Sequence, residues 1–222
     1  MKNKAIYNMS QEFFIEMDDY QSDTRDKIKI VAPERYNDFI EFVLKLRIKP
    51  QIKIIAILQI SSGSRVSEIL NLKRKHLDLN KQQITIKVLK KKKRKNKIKF
   101  SEWIPPTLLK LITPPNEDKI KLRHGAVNPK LIPLLTSWVE GLSPEDKIFS
   151  ISRFGVLKAY KTLWGITTHS LRHSFITYMI EVRQRGWDWI MNHFYFTELK
   201  TAHRYFKQST AIEADKIFKE SA

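Results

Sequence analysis

Apolar residues recur at helical spacing along most of the chain. After Pro33, which can open a helix, one face collects the apolar residues Tyr36, Phe39, Ile40, Val43 and Leu44. Residues 52–60 are apolar on almost every side and predict a buried helix, and residues 66–72 predict a short helix after a turn of small residues. From Pro129 to the end of the chain the pattern is helical again.

The middle of the chain alternates as strands do. Candidate strands are residues 76–79, 83–89 and 97–104, and the second places Ile84, Ile86 and Val88 on one face. Residues 113–128 are rich in proline, asparagine and charge and predict a loop. The pattern therefore predicts a mainly α fold with a small antiparallel β-sheet (α+β).

Both ends of the chain are predicted to be separate pieces. Phe13, Phe14, Met17 and Tyr20 recur at helical spacing, and Ser10 can cap their helix. Residues 18–26 are acidic and polar, so residues 1–30 are predicted to form a short N-terminal helix and a linker. Residues 31–207 then form the main domain. Residues 208–222 contain a capping box at Thr210 and an apolar stripe, and predict a C-terminal helix.

The charge of the chain indicates its partner. Forty-one lysines and arginines against 23 acidic residues leave a net charge of +18, which favours nucleic acid first and an anionic membrane second. No apolar run is long enough to span a bilayer and the N-terminus lacks the apolar core of a signal peptide, which predicts an intracellular protein. The absence of cysteine excludes disulfides, cysteine nucleophiles and cysteine-type zinc sites.

Two basic motifs are candidate anion sites. His169 and Arg172 share a helix face if Thr168 caps the helix, and an imidazole beside a cation at a helix N-terminus can bind an anion. Arg65 follows the small-residue turn, where its planar guanidinium can bind phosphate through two hydrogen bonds. The alternatives are a solvated basic helix start for the first motif, and for Arg65 an exposed ion pair with Glu68 or another acid.

A third motif is a basic run in which nine of the thirteen residues 87–99 are lysine or arginine. The flanking alternation makes it a hairpin, with Lys90, Lys91, Lys92, Lys93, Arg94 and Lys95 at its tip. Such dense like charge destabilises a free hairpin, and a nucleic-acid backbone would relieve the repulsion. The alternative is a solvated basic loop or a localisation signal.

The fourth motif surrounds a tyrosine near the C-terminus. A tyrosine hydroxyl ionises near pH 10, so it is a weak nucleophile unless positive charge surrounds it. Tyr205 has such neighbours in Lys200, His203, Arg204 and Lys207, with His193 upstream. The alternative is an ordinary core or interface tyrosine.

In chain order these motifs resemble those of the tyrosine recombinase (phage integrase) family, of the archaeal or viral type, over about residues 33–207. The first box, SSGSRVSEILNLKRKHLDL, carries the family's arginine at Arg65 and its acidic residue at Glu68. The remaining boxes, THSLRHSF, MNH and TAHRYF, give His169, Arg172, His193 and Tyr205. The basic hairpin carries the family's lysine.

The chain departs from the family pattern at three places. Asn192 stands where the family has glycine, and the interval from His193 to Tyr205 is longer. The hairpin tip offers several lysines; position favours Lys91, with Lys90 and Lys92 next. Residues 1–30 are too short for the family's N-terminal DNA-clamping domain, which fits a shortened chain, a naturally minimal enzyme or a separate catalytic fragment.

The resemblance implies a site-specific recombinase that needs no metal or other cofactor. Arg65 and Arg172 would hold the scissile phosphate while Tyr205 attacks it and forms a 3′-phosphotyrosine. Lys91 would protonate the leaving 5′ oxygen, His169 would take the tyrosine proton or orient the phosphate, and His193 would add a phosphate hydrogen bond.

The resemblance also implies double-stranded DNA as the partner and no membrane. The DNA-binding residues would be Lys90, Lys92, Lys93, Arg94, Lys95 and Arg204. Dimers or tetramers would form on DNA, whereas the state without DNA is open. The helix at 208–222 would pass to a neighbouring subunit or pack on its own domain. The alternative functions are a type IB topoisomerase and an inactive DNA-binding protein of the same fold.

Overall fold

The computed structural model describes residues 2–18, 27–88, 121–196 and 205, which form eight helices and five strands. The helices are α1 (Lys2–Ser10), α2 (Tyr36–Lys45), α3 (Pro50–Ser62), α4 (Val66–Leu70), α5 (Ile132–Val139), α6 (Arg153–Trp164), α7 (Ser170–Glu181) and α8 (Trp187–Phe194). The strands are β1 (Phe14–Asp18), β2 (Lys27–Val31), β3 (Leu77–Asp78), β4 (Gln83–Lys87) and β5 (Leu122–Ala126). The predicted mainly α fold with small antiparallel sheets is confirmed.

Helix α3 lies at the centre of the core. Pro50 occupies its first turn, where a missing N–H costs nothing, and the apolar residues that follow are buried on every side. Helices α2, α4 and α7 and strand β5 all pack against it. The predicted buried helix over residues 52–60 is therefore confirmed, as are the helix after Pro33 and the short helix that begins at Val66.

The helix predicted over Phe13, Phe14 and Met17 is wrong. Residues Phe14–Asp18 form β1, which pairs antiparallel with β2, and Tyr20 lies outside the described residues. Ser10 ends α1 instead of capping a following helix. The apolar spacing was ambiguous because Phe13 reaches the interior from a short 3₁₀ turn and Met17 from strand β1. Strand β2 supplies the backbone partners that no local pattern reveals.

The hairpin of β1 and β2 docks on helix α7. The Val31 N–H donates a hydrogen bond of 2.8 Å to Ser174 Oγ, and Ser174 Oγ in turn donates to the Ser170 carbonyl at 2.8 Å. Both contacts are buried, so the hairpin is packed against the N-terminal half of α7. Helix α1 packs against helix α6.

The second sheet has the order β3-β4-β5, with both pairs antiparallel. The loop predicted over residues 113–128 is wrong for Leu122–Ala126, which form β5, and the strand predicted at residues 97–104 lies outside the described residues. Strand β5 was not predicted because its buried residues are Arg123 and Gly125, whereas the apolar Leu122 faces solvent.

The helical prediction after Pro129 is confirmed for α5 to α8, whereas residues 140–152 between α5 and α6 are not helical. A short 3₁₀ turn over Pro129–Leu131 leads into α5, and three further helices follow. Trp164 at the end of α6 is fully buried and packs edge-on against Phe39. None of the helices in the described ranges has the length and apolar character needed to cross a membrane.

The docking of the hairpin on α7 yields a stability prediction. Ser174→Ala leaves the buried Val31 N–H without its acceptor, which we expect to lower the free energy of unfolding by about 1–3 kcal/mol. Urea unfolding followed by circular dichroism measures this. Ser137→Ala, at an exposed position of α5, is the control and should stay within about 0.5 kcal/mol of the wild type. Equal effects of the two substitutions would contradict the docking.

Candidate active site

The turn between α3 and α4 binds the buried arginines of the candidate site. Gly63 follows α3 with φ +63°, and a Cβ there would collide with the Phe175 ring and lie 2.9 Å from Phe194. Only glycine meets both conditions. The hydroxyls of Ser62 and Ser64 on either side lie 2.6 Å apart in the interior. The small residues of this turn therefore let helices α7 and α8 approach it closely.

Arg65 leaves this turn as the residue before α4. Its backbone N–H donates to Glu68 Oε2 at 2.8 Å and its Nη1 to Glu68 Oε1 at 3.0 Å. The Glu68 side chain is 1% exposed, whereas the Arg65 side chain is 36% exposed. The ion pair proposed as an alternative for Arg65 is thus present, and it leaves part of the guanidinium facing solvent.

Arg172 projects from the first turn of α7 into the interior and is 3% exposed. Its Nη1 donates to the Gly63 carbonyl at 2.7 Å, and its guanidinium lies 4.5 Å from the centre of the Phe194 ring. Its Nη2 is buried and has no hydrogen-bond partner among the described residues. Burial lowers the pKa of Arg172, and the neighbouring Tyr205 opposes that shift.

His169 immediately precedes α7 and is exposed. The predicted cap at Thr168 is wrong, because the helix begins at Ser170 and Thr168 is buried, with its carbonyl accepting from Gln59 at 2.6 Å. Thr167 closes the turn instead, accepting from the His169 N–H at 3.3 Å. His169 keeps its predicted place at the helix N-terminus.

Tyr205 lies beside Arg172 and is 2% exposed. Its ring stacks on Phe196, with centroids 5.9 Å apart, and contacts the His173 ring at 5.0 Å. Hydrogen bonding and charge couple the tyrosine to Arg172. The structure therefore brings together the tyrosine and the arginine that the sequence motifs separate by 33 positions (205 minus 172).

His193 lies in the last turn of α8. Its Nε2 is 3.0 Å from Arg123 Nη1, and its ring stacks on Trp189 with centroids 4.3 Å apart. Burial, together with Arg123 and Arg172, lowers the pKa of His193 to about 4. The imidazole is therefore neutral at physiological pH.

Arg123 was missed by the sequence analysis. It lies on β5, inside the segment predicted as a loop, and its side chain is buried between the turn and α8. The only sequence signal for Arg123 was its position in a strand in which alternate residues face the interior. That pattern is hard to recognise here because the polar Arg123 faces the interior and the apolar Leu122 faces solvent. The remaining candidates lie outside the described residues: Lys90, Lys91, Lys92, Lys93, Arg94, Lys95 and Arg204.

The cluster has an excess of positive charge. The guanidinium groups of Arg65, Arg123 and Arg172 influence one another electrostatically. Among the described residues, Glu68 is the one carboxylate that affects the pKa of Arg123 and of Arg172. A buried excess of cations with an unpartnered donor favours an anion that accepts several hydrogen bonds. Phosphate has this chemistry, and the hydroxyl of Tyr205 is close to where it would bind.

A family model described as the phage integrase family matches residues 29–211. The chain belongs to this family. Comparison with the curated proteins gives no match.

Three solved structures are similar to the chain at low sequence identity. XerH recombinase bound to palindromic difH substrate in a post-cleavage complex is 18% identical, covering 86% of this chain and 53% of its own, with a TM-score of 0.58. XerA recombinase is 16% identical, covering 87% and 65%, with a TM-score of 0.55. The catalytic domain of bacteriophage HP1 integrase is 14% identical, covering 81% and 88%, with a TM-score of 0.51.

These likenesses establish the tyrosine recombinase catalytic-domain fold. The chain spans about half of the XerH chain and about two thirds of the XerA chain.

The buried histidines of the site yield a prediction about pH. Burial, with His169 and Arg172, lowers the pKa of His173 to about 3, and His193 is lowered to about 4. Unfolded histidines titrate near pH 6.5, so below that pH the unfolded chain binds more protons than the folded one. The free energy of unfolding should thus be constant above about pH 6.5 and fall on acidification, by up to ~1.4 kcal/mol per pH unit for each group.

Urea unfolding at pH 7 and pH 5 measures this loss. His173→Phe should keep only the share due to His193, whereas His124→Gln, at an exposed position of β5, should lose as much as the wild type. An unchanged pH dependence in the phenylalanine variant would show that His173 is not buried as a neutral group.

Proposed function

We propose that this protein is a site-specific DNA recombinase, or integrase, which cleaves and rejoins DNA strands through a 3′-phosphotyrosine intermediate. The observation that carries the proposal is the contact between Tyr205 and the buried Arg172, whose Nη2 has no partner among the described residues. A nucleophile coupled to a cation with an unsatisfied donor suits attack on a phosphodiester. Membership of the phage integrase family supports this assignment.

The proposed reaction is a transesterification at phosphorus. Arg65 and Arg172 hold the non-bridging oxygens and stabilise the charge that grows on them. The Tyr205 oxygen forms the new bond to phosphorus as the bond to the 5′ oxygen breaks, and its proton passes to His169. Lys91 protonates the leaving 5′ oxygen, and His193 donates to the phosphate. A 5′-hydroxyl of another strand reverses these steps, so the phosphodiester energy is conserved.

DNA is the partner that fits this chemistry. The net charge of +18 supports binding along a phosphate backbone, and the XerH structure contains its difH substrate. We assign the backbone contacts to the basic residues Lys90, Lys92, Lys93, Arg94, Lys95 and Arg204. Recombination joins two DNA sites, so we propose dimers or tetramers on DNA inside the cell, with residues 208–222 as the segment exchanged between subunits.

The nucleophile can be tested with a nicked suicide substrate, which traps the covalent intermediate because the cleaved strand end diffuses away. Tyr205→Phe should abolish the covalent adduct and leave DNA affinity unchanged, since only the hydroxyl is lost. Tyr195→Phe is the matched control, because Tyr195 is exposed beside the site and its hydroxyl donates to the Leu122 carbonyl. It should form adducts like the wild type.

Two outcomes would overturn the nucleophile assignment. An adduct formed by the Tyr205→Phe variant would move the nucleophile to another tyrosine. A wild-type protein that binds DNA but traps no adduct would be a DNA-binding protein of this fold and not an enzyme.

The phosphate clamp can be tested at Arg65, whose guanidinium is partly exposed and bonded to Glu68. Arg65→Ala should slow cleavage on the order of 10²–10³-fold, because a preorganised donor to the transition state is lost. DNA affinity should change no more than in Arg153→Ala, which removes an exposed charge at the start of α6. Single-turnover cleavage and filter binding measure the two effects. Equal losses of cleavage and binding would make Arg65 an ordinary backbone contact.

A further inference from the structure

Arg123 is a buried cation to which the proposed reaction assigns no role. It projects inward from β5 and is 4% exposed, between the α3–α4 turn and α8. Its guanidinium lies 5.2 Å from the centre of the Phe194 ring, in the same cluster as Arg172. A charge buried this deeply is expensive unless its hydrogen bonds are made.

Both terminal nitrogens of Arg123 make hydrogen bonds inside the protein. Nη1 donates to the Ser62 carbonyl at 2.6 Å and contacts His193 Nε2 at 3.0 Å. Nη2 donates to Ser64 Oγ at 2.7 Å and lies 3.8 Å from Glu68 Oε2. Three hydrogen bonds and one longer ion pair, all to groups of the protein, thus surround these two nitrogens. Arg123 can therefore act on the reaction through the Ser62–Ser64 turn and through His193.

The contact with His193 determines where the imidazole carries its proton. A guanidinium donates hydrogen bonds and accepts none, so Nε2 of His193 must be the acceptor. An imidazole that accepts at Nε2 is neutral and holds its single proton on Nδ1. The geometry thus selects one of three protonation states of His193.

We propose that Arg123 is a positioning residue, which fixes His193 as a neutral donor through Nδ1–H and joins it to the Ser62–Ser64 turn that presents Arg65. This inference rests on the proposed function. In it, the phosphate receives a directed hydrogen bond from His193 while the positive charge stays on the arginines.

The surroundings of His193 agree with this assignment. The charged groups that face it are Arg123 from β5 and Arg172 from α7, and both oppose its protonation. Its other ring neighbours are apolar: Trp189, Phe175 and Phe194. Burial lowers the pKa of Arg123 to about 10, so this cation stays charged at neutral pH.

The direct test is the protonation of the His193 ring, measured without DNA. Long-range ¹H–¹⁵N correlation spectra of histidine-labelled protein, recorded from pH 4 to 8, give the tautomer and the pKa of each imidazole. The wild-type His193 should carry its proton on Nδ1 above pH 6 and should titrate near pH 4. A proton on Nε2 in the wild type at neutral pH would overturn the proposal without any variant.

A variant without the guanidinium removes both the hydrogen bond and the positive charge beside His193. Arg123→Met removes one of the two cations that lower the pKa of His193, so it should raise that pKa from about 4 toward 6.5 and remove the preference for Nδ1–H. Arg185→Gln is the control, because the Arg185 guanidinium lies 5.7 Å from the centre of the Trp189 ring and is not among the cations that affect the pKa of His193. Its His193 signals should match the wild type. Equal signals in the methionine variant would contradict the proposal.

A cleavage assay then tests the effect on the reaction. Arg123→Lys keeps the charge and loses the planar fork, so it cannot bridge the turn and His193 together. It should slow suicide-substrate cleavage on the order of 10²-fold, as misplacement by about 1 Å does, while DNA affinity stays at the wild-type value. Wild-type cleavage rates in this variant would overturn the positioning role. Absence of adducts with the wild type would instead refute the proposed function, and the spectra would still decide the contact between Arg123 and His193.

Discussion

The hydrogen bond from Arg172 to the Gly63 carbonyl is the contact on which the site depends. It joins α7 to the end of α3, the two helices at the centre of the core. The bond forms only because Gly63 adopts a positive φ and leaves room for Phe175 and Phe194. A guanidinium remains protonated in proteins, so the fold places a permanent charge in its interior with one nitrogen unpartnered.

This arrangement raises the energy of the free protein and prepares it for an anion. A buried donor without a partner costs about 1–3 kcal/mol, and more when it is charged. An anion that accepts from Arg172 Nη2 would recover that cost on binding, without any reorganisation of the helix that carries the arginine. Docking of the β1–β2 hairpin behind α7 holds that helix in place, since Ser174 binds both Val31 and the Ser170 carbonyl.

Glu68 distributes the charge of the cluster. Its carboxylate contacts Arg65 at 3.0 Å and lies 3.8 Å from Arg123, and its remaining effect on Arg172 acts through space. The acid therefore orients the two arginines that arise from the turn and from β5. Glu68 affects Arg172, by contrast, only through space, and Arg172 lies next to Tyr205.

Sequence patterns predicted the parts of this structure whose residues face the core as apolar groups. The buried α3 and the amphipathic α2 have such patterns, and the motifs containing Arg172 and Tyr205 converge in the structure as their order implied. The roles of these residues remain predictions.

The prediction errors lie where contacts with distant segments of the chain determine the secondary structure. Strand β1 needs β2, which lies nine or more residues further on, and no local pattern shows that pairing. Strand β5 turns Arg123 and Gly125 inward, because Gly125 must pass Ser62 closely: a Cβ at Gly125 would lie 2.8 Å from the serine Cβ. A strand with arginine and glycine inside and leucine outside looks like a loop. The residue that joins the turn to His193 was hidden for that reason.

The burial of Tyr205 adds a requirement to the proposed reaction. Attack needs the tyrosine oxygen in line with phosphorus, but the residue is 2% exposed, with its ring between Phe196 and His173. A phosphodiester cannot reach that oxygen until the stack with Phe196 opens or the tyrosine moves outward. Arg172 needs no such movement, because its charge and its bond to Gly63 are already in place. In the proposed reaction, DNA binding would therefore have to supply the energy that exposes Tyr205, whereas the charge of Arg172 and its bond to Gly63 are in place in the free protein.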